Sequence, residues 1–353
     1  INPIMNRLLL PLLAAIALPT AVNAEVVYET PGLAWNECIS WMKEGGEFYI
    51  QEGSDYEMVT RWFPRRHCFY NEDKMEMVGQ ELIQIKEGEK FLAENFPDAE
   101  EMYKATLNNN CINMVNLSYR NSSGWQSLSK MIHNNELGPV RHVDASYYQS
   151  WLTCKYWGDW KEEQKWLWRL SENHGSKGVL GDLGVHIFDF ASYPVGKINK
   201  INCRLKTFKD KGEKIGEYIL DANDSFVSMV EFENGAIGTV SSTRFATGNV
   251  NKLDLKIYCD KGAVSMKFDD PITQGNTYSI CTDINATSPN NEKGLDWKTI
   301  KTDPTPSNYE RFIHSIKTGK NDQPNFKRGA DIQKILDSCF ISSEKDQWID
   351  LNA

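Results

Sequence analysis

Apolar positions recur with two different periods after Asp98, and each change of period marks an element. Asp98 to Asn109 (DAEEMYKATLNN) has helical spacing, with acids in its first turn and Pro97 just ahead of it. Carboxylates suit a helix start because the first N–H groups there lack intrahelical partners. Met114 to Tyr119 reads as a short strand, and Gly124 to Asn135 as a helix ending in the NNELG punctuation. Val140 to Gln149 alternates as a strand does, and Gly178 to Tyr193 is apolar with helical spacing. Strand-like runs follow at Ile198–Phe208, Ser225–Phe232, Ala236–Arg244, Leu253–Cys259 and Ala263–Phe268. Asn234-Gly235 between two of them signals a hairpin, because both residues tolerate positive φ, and Asp260-Lys261-Gly262 makes the next turn. Ser307 to Lys317 and Gly329 to Phe340 close the chain as helices. The pattern predicts an α+β domain, a mostly antiparallel sheet with helices on one face and the other face open for an oligomer contact.

Before Glu89 the chain changes character. Residues 5–24, MNRLLLPLLAAIALPTAVNA, set Arg7 ahead of the apolar run Leu8 to Leu18 and the small-residue site Val22-Asn23-Ala24. That is the layout of a secretory signal peptide cut after Ala24. The competing reading is a buried apolar helix; the run, broken by Pro11, falls short of the roughly 20 apolar residues of a membrane span. Residues 25–88 hold Trp35, Trp41, Phe48, Tyr49, Tyr56, Trp62 and Phe63, and no catalytic arrangement. Cys38 and Cys68 would form a disulfide if exported, or are two unrelated thiols; both readings stay open. A genuine leader implies a secreted or periplasmic protein, and an artefactual fusion a cytoplasmic one.

Composition narrows the classes. The 353 residues include 48 acidic and 39 basic side chains, a net charge of −9, with 41% hydrophobic and 25% charged residues. Such a chain buries a real core, and its acid surplus argues against coating nucleic acid or anionic membrane. No C-x-x-C and no H-E-x-x-H occurs, so no metal centre is expected.

The densest candidate chemistry is Gly178-Val-Leu-Gly-Asp182-Leu-Gly-Val-His186-Ile-Phe-Asp189. On a helix, Asp182 and His186 stand at i and i+4 on one face. An imidazole there exchanges protons near neutrality, and a carboxylate beside it raises its basicity. The alternative is a packed core helix with a satisfied Asp–His pair.

The segments Asn116-Leu-Ser-Tyr-Arg-Asn121, LGPVRHVDASYYQSW, WLWRLS, GVLGDLGVHIFDF, FENGAIGT, RFATG, DKGAVSM and TPSNYERFIHSIKTG follow one another in this order. Together they closely resemble the glucose-fructose oxidoreductase / inositol dehydrogenase / MocA (Gfo/Idh/MocA) family, from about Glu89 to the C-terminus. The resemblance implies an NAD- or NADP-dependent oxidoreductase acting on a sugar or polyol carbon. It implies an N-terminal Rossmann domain and a C-terminal α/β domain whose open sheet carries the substrate site and a homo-oligomer interface. It makes His186 the acid/base for the substrate hydroxyl and Asp182 the group that orients substrate or imidazole. Glu89-Lys90-Phe91 occupies the place of the family's Glu-Lys-Pro, so Lys90 would contact substrate and nicotinamide, with Phe91 in place of the proline. Arg120, Tyr148, Arg169 and His174 lie in segments that resemble the family's substrate face and are candidate substrate-binding residues.

One expected part is missing. A Rossmann domain opens with a strand, G-x-G-x-x-G and a helix whose N-terminus receives the pyrophosphate. No such fingerprint precedes Glu89. The chain therefore reads as composite: a leader at 5–24, a small aromatic-rich segment at 25–88, and a substrate and oligomerisation domain at 89–353 without a complete Rossmann domain. Such a chain is expected to be inactive alone; the alternative is a non-catalytic exported module for carbohydrate binding or oligomerisation. After leader cleavage neither membrane nor nucleic acid is an expected partner.

Overall fold

Alternation of buried and exposed side chains builds the centre of the molecule. In the computed structural model the described residues are 68–71, 76–79 and 93–352, except 94, 209–212, 269–274 and 289–294. The leader, Cys38 and Lys90 lie outside them. The chain divides into two compact units, residues 1–88 with 316–319, and the remainder from Glu89. Of the first, the structure describes an antiparallel pair, β1 (Cys68–Asn71) and β2 (Glu76–Gly79).

The second unit opens with α1 (Phe96–Asn108), a 3-10 turn at Ser118–Asn121 and α2 (Ser123–His133). Strand β3 (Val140–Gln149) follows, then a π-turn at Leu180–Gly184 that runs directly into α3 (Val185–Val195). Next come β4 (Ile198–Lys206), a small hairpin of β5 (Lys214–Ile215) and β6 (Tyr218–Ile219), β7 (Ser225–Phe232) and β8 (Ile237–Thr243). The chain continues through β9 (Asn251–Cys259), β10 (Gly262–Phe268), β11 (Thr277–Cys281) and β12 (Lys298–Lys301). It ends with α4 (Asn308–Thr318), α5 (Phe326–Lys345) and β13 (Ile349–Asp350).

The main sheet has nine strands in the order β12-β11-β10-β9-β3-β8-β7-β4-β13. Only β3 and β8 run parallel; every other neighbouring pair is antiparallel. On β3, Val143, Ala145 and Tyr147 are buried on the helix side, while Asp144, Ser146 and Tyr148 face the other way. Helix α3 packs on β3 and against α2 and α5, and α5 also covers β4. Val185, Ile187, Phe188, Phe190 and Ala191 are all buried. A helix apolar on every side belongs between layers, and each large side chain so buried contributes roughly 1.5–3 kcal/mol. The α+β sheet with helices on one face is thus the observed architecture. The open face leaves Val227, Met229 and Ile237 exposed.

Several expectations change. Met114–Tyr119 is no strand: the Val115 N–H donates to the Pro324 carbonyl at 2.8 Å and the Asn113 N–H to Asn321 Oδ1 at 2.9 Å. Its backbone is satisfied by a loop, so no ladder partner is needed. The helix read from Gly178 starts there, but its Leu180–Gly184 turn is π-helical. Strands β11, β12 and β13 and the first turn of α5 were not expected. The Asn234-Gly235 turn does join β7 to β8, with Gly235 at φ +83°.

One buried carboxylate ties these layers together. Asp189 on α3 accepts from Arg120 Nε and Nη2, both at 2.7 Å, and from Arg328 Nε of α5 at 2.7 Å. Arg120 also lies 3.7 Å over the Tyr193 ring and 5.0 Å over that of Trp125. Burial pushes the Asp189 carboxyl up, but the two guanidinium groups outweigh it and hold the group at about 2. A depressed carboxylate contributes stability above its unfolded pKa and loses it as pH falls through the folded value. Thermal stability is therefore expected to fall between about pH 4 and pH 2, by about 2 kcal/mol from this group. Asp189→Asn, which strands one buried and one half-buried cation, should cost roughly 3–5 kcal/mol in urea unfolding near neutral pH.

Candidate active site around Asp182 and His186

The helix that carries Asp189 also carries the candidate acid/base. Its start is fixed by Asn223, whose Oδ1 accepts from the Leu180 N–H at 3.0 Å and whose Nδ2 donates to the Lys177 carbonyl at 2.8 Å. Gly178 makes the entry at φ +67°, and a Cβ there would stand 2.3 Å from the Asn223 carbonyl oxygen. Only glycine fits that approach. The π-turn behind it widens the helix by one residue, a distortion often found at functional positions.

His186 is 4% exposed, and its ring meets the Tyr119 ring edge-on with centroids 5.1 Å apart. Tyr147 lies 6.4 Å away, ring to ring. The Tyr119 hydroxyl donates to the Tyr147 hydroxyl at 2.7 Å. Tyr147 also bonds the Asn251 side chain, whose Oδ1 accepts from Gln149 Nε2 at 2.8 Å. Gln149 Oε1 in turn accepts from Trp151 Nε1 at 3.0 Å. Burial pushes the Tyr147 phenol well above its ordinary range, and the Tyr119 phenol and the charge of Asp182 push it further. Tyr147 thus lies beside the imidazole and within the field of the Asp182 charge. Asp182 keeps 22% of its side chain exposed and pairs with Arg244, which is 0% exposed, at 2.9 Å.

The other sequence candidates scatter. Arg120 is 2% exposed and engaged with Asp189, inside the core. Tyr148 points to the open sheet face, 3.1 Å from Ser241 Oγ, away from its neighbour Tyr147. Arg169 is buried, its guanidinium 4.5 Å from the Trp168 ring and 5.0 Å from that of Trp166. Its carbonyl accepts from Arg244 Nη1 at 3.1 Å, so its backbone is one step from Asp182. His174 bonds Ser171 Oγ through Nδ1 at 2.9 Å and sits 4.4 Å from the Tyr218 ring. The structure thus links Asp182 to the Arg169 backbone through Arg244, sets His186 four residues along the same helix, and leaves Arg120, Tyr148 and His174 elsewhere. Sequence reading passed over Arg244, Tyr119, Tyr147 and Asn251; the signal for Arg244 was its place in the RFATG segment. Among the described residues no group of three or more His, Cys, Asp or Glu is poised to hold a metal ion. Nor is any described helix long and apolar enough to cross a membrane.

Tyr147→Phe removes an acceptor from Tyr119 and Asn251 in a buried setting, and is expected to cost about 1–3 kcal/mol in urea unfolding. No loss would show that the phenol pair carries no net stabilisation.

The same part of the chain is similar to known proteins. Residues 125–265 match the model of the GFO/IDH/MocA C-terminal domain. Levoglucosan dehydrogenase of Pseudarthrobacter phenanthrenivorans is 23% identical over 299 residues, covering 74% of this chain and 73% of that protein. A levoglucosan dehydrogenase structure in complex with NADH and levoglucosan superposes with a TM-score of 0.62 at 23% identity, over 73% of this chain and 71% of that one. The oxidoreductase domain protein from Kribbella flavida gives a TM-score of 0.62 at 26% identity, over 74% of this chain and 72% of that one. The segment that carries Asp182 and His186 is thus similar to the C-terminal domain of the Gfo/Idh/MocA oxidoreductases.

Proposed function

We propose that residues 89–353 are the substrate-side half of a nicotinamide-dependent sugar or polyol oxidoreductase, with His186 and Asp182 as its working pair. The observation that carries the proposal is a buried imidazole and an arginine-anchored carboxylate four residues apart on one helix, inside the segment similar to the family's C-terminal domain. Oxidising an alcohol carbon requires removal of its hydroxyl proton, and neutral His186 is the group that accepts it. The Asp182 carboxylate, partly open to solvent, accepts a hydrogen bond from a second hydroxyl and so fixes the ring of the sugar.

NAD is the cofactor that the relatives suggest, and the described residues do not fit it. A pyrophosphate needs a glycine turn opening a helix behind a parallel strand. No two glycines in the chain stand two positions apart, so G-x-G-x-x-G occurs nowhere in it. The proposal is accordingly a half-site that recognises sugar and does not turn it over unaided. The same observation favours a second reading, an exported carbohydrate-binding or oligomer-forming module, with residues 5–24 directing export.

Titration calorimetry with levoglucosan separates the two. Under the first reading His186→Ala and Asp182→Asn each weaken binding at least about tenfold, a loss of about 1.4 kcal/mol. Equal binding by both variants and the parent rejects the pair and supports the module. Fluorescence titration with NADH and with NADPH is expected to show no saturable binding; saturation would overturn the half-site reading. For the open sheet face we propose a homo-oligomer contact through exposed Val227, Met229 and Ile237. Sedimentation should show an oligomer that Met229→Glu dissociates, and a monomeric parent would reject the contact.

A further inference from the structure

Arg244 is fully buried and touches the proposed site. Its Nη2 reaches Asp182 Oδ2 at 2.9 Å, its Nη1 donates to the Arg169 carbonyl at 3.1 Å, and Trp151 closes over the guanidinium with 4.8 Å from Cζ to the ring centroid. Its Nε–H has no acceptor among the described residues. Burying a guanidinium costs several kcal/mol unless charge and hydrogen bonds offset it. A carboxylate at Asp182, the Arg169 carbonyl and the Trp151 ring each offset part of that cost. Arg244 follows β8 and its backbone N–H donates to the Asp224 carbonyl at 3.0 Å, so the guanidinium is fixed to the sheet rather than to the helix. It reaches across to the π-turn and grips the Asp182 side chain there.

We infer that Arg244 is a positioning residue that keeps Asp182 ionised and aimed at the substrate position, leaving proton transfer to His186. The inference rests on the reading of Asp182 and His186 as the working pair and adds how the carboxylate is held. The groups that face this pair are Asp182 and His186 from the π-turn helix, Tyr119 and Tyr147 beside the imidazole, the Arg169 carbonyl and Trp151 around the guanidinium, and Asp224 next to it in the backbone.

The test needs neither sugar nor nucleotide. Carbon-13 NMR of the aspartate carboxyls, with the Asp182 signal assigned by its loss in Asp182→Asn, reads its ionisation directly. In the parent protein the signal should stay that of a carboxylate from about pH 8 to about pH 4. In Arg244→Met its midpoint should move up by at least about one pH unit, and Arg244→Lys should restore most of the shift. A role confined to packing predicts equal stability losses for both variants and no movement of the Asp182 midpoint, and that result overturns the inference. If Arg244→Met does not fold, the parent titration decides, because a mid-range Asp182 midpoint overturns the inference by itself. Lack of levoglucosan binding would remove the sugar-site reading while leaving this carboxyl measurement standing, so the two failures are told apart.

Discussion

The structure depends first on a charge placed where charge is expensive. Asp189 sits inside the helical layer, and its cost is offset because two guanidinium groups from distant parts of the chain reach it. One comes from the 3-10 turn ahead of α2 and the other from the first turn of α5. Loop, central helix and C-terminal helix are thereby fixed by one carboxylate, three residues after His186. The imidazole inherits that rigidity: it can neither rotate out with the helix nor slide along it without breaking a buried ionic triad.

A second ionic contact, weaker in burial on its acidic side, fixes the other end of the same helix. Arg244 grips Asp182 from the sheet, while Asn223 caps the entry through two side-chain hydrogen bonds. The π-turn is thus held at its first residue and at its middle. A helix distorted by one extra residue is intrinsically less favourable than a regular one, and here the distortion persists because the flanking contacts determine it. The site is consequently a property of the tertiary arrangement, in which the helix supplies the groups and the sheet supplies their aim.

That division explains what was legible from sequence. The periodicity of Gly178–Tyr193 and the alternation along Val140–Gln149 are local signals, and both elements formed close to their expected limits. The i and i+4 spacing of Asp182 and His186 is equally local. Arg244 is 62 positions from Asp182, and Arg120 is 69 positions from Asp189, so neither partnership leaves a trace in a window of neighbouring residues. Arg120 consequently reads as a substrate contact in the sequence and proves to be core wiring in the fold. Met114–Tyr119 misled for a related reason: its apolar residues are buried in a loop whose backbone is satisfied by residues some 200 positions later. The short strands β11 and β12 and the two-residue β13 are edge-region additions whose pairing, rather than their composition, defines them.

The consecutive tyrosines of β3 show how little chain separates two environments. Tyr147 belongs to the hydrogen-bonded floor beneath the imidazole, and Tyr148 to the uncovered face of the sheet. A one-residue slip of this strand would exchange a buried phenol for a half-wet one and turn Asp144 inward. Because β3 is clasped by a parallel partner on one side and an antiparallel partner on the other, two independent ladders veto that slip. The central strand therefore works as a partition: whatever assembles on one side of it feels the chemistry on the other only through a shared backbone, one residue thick.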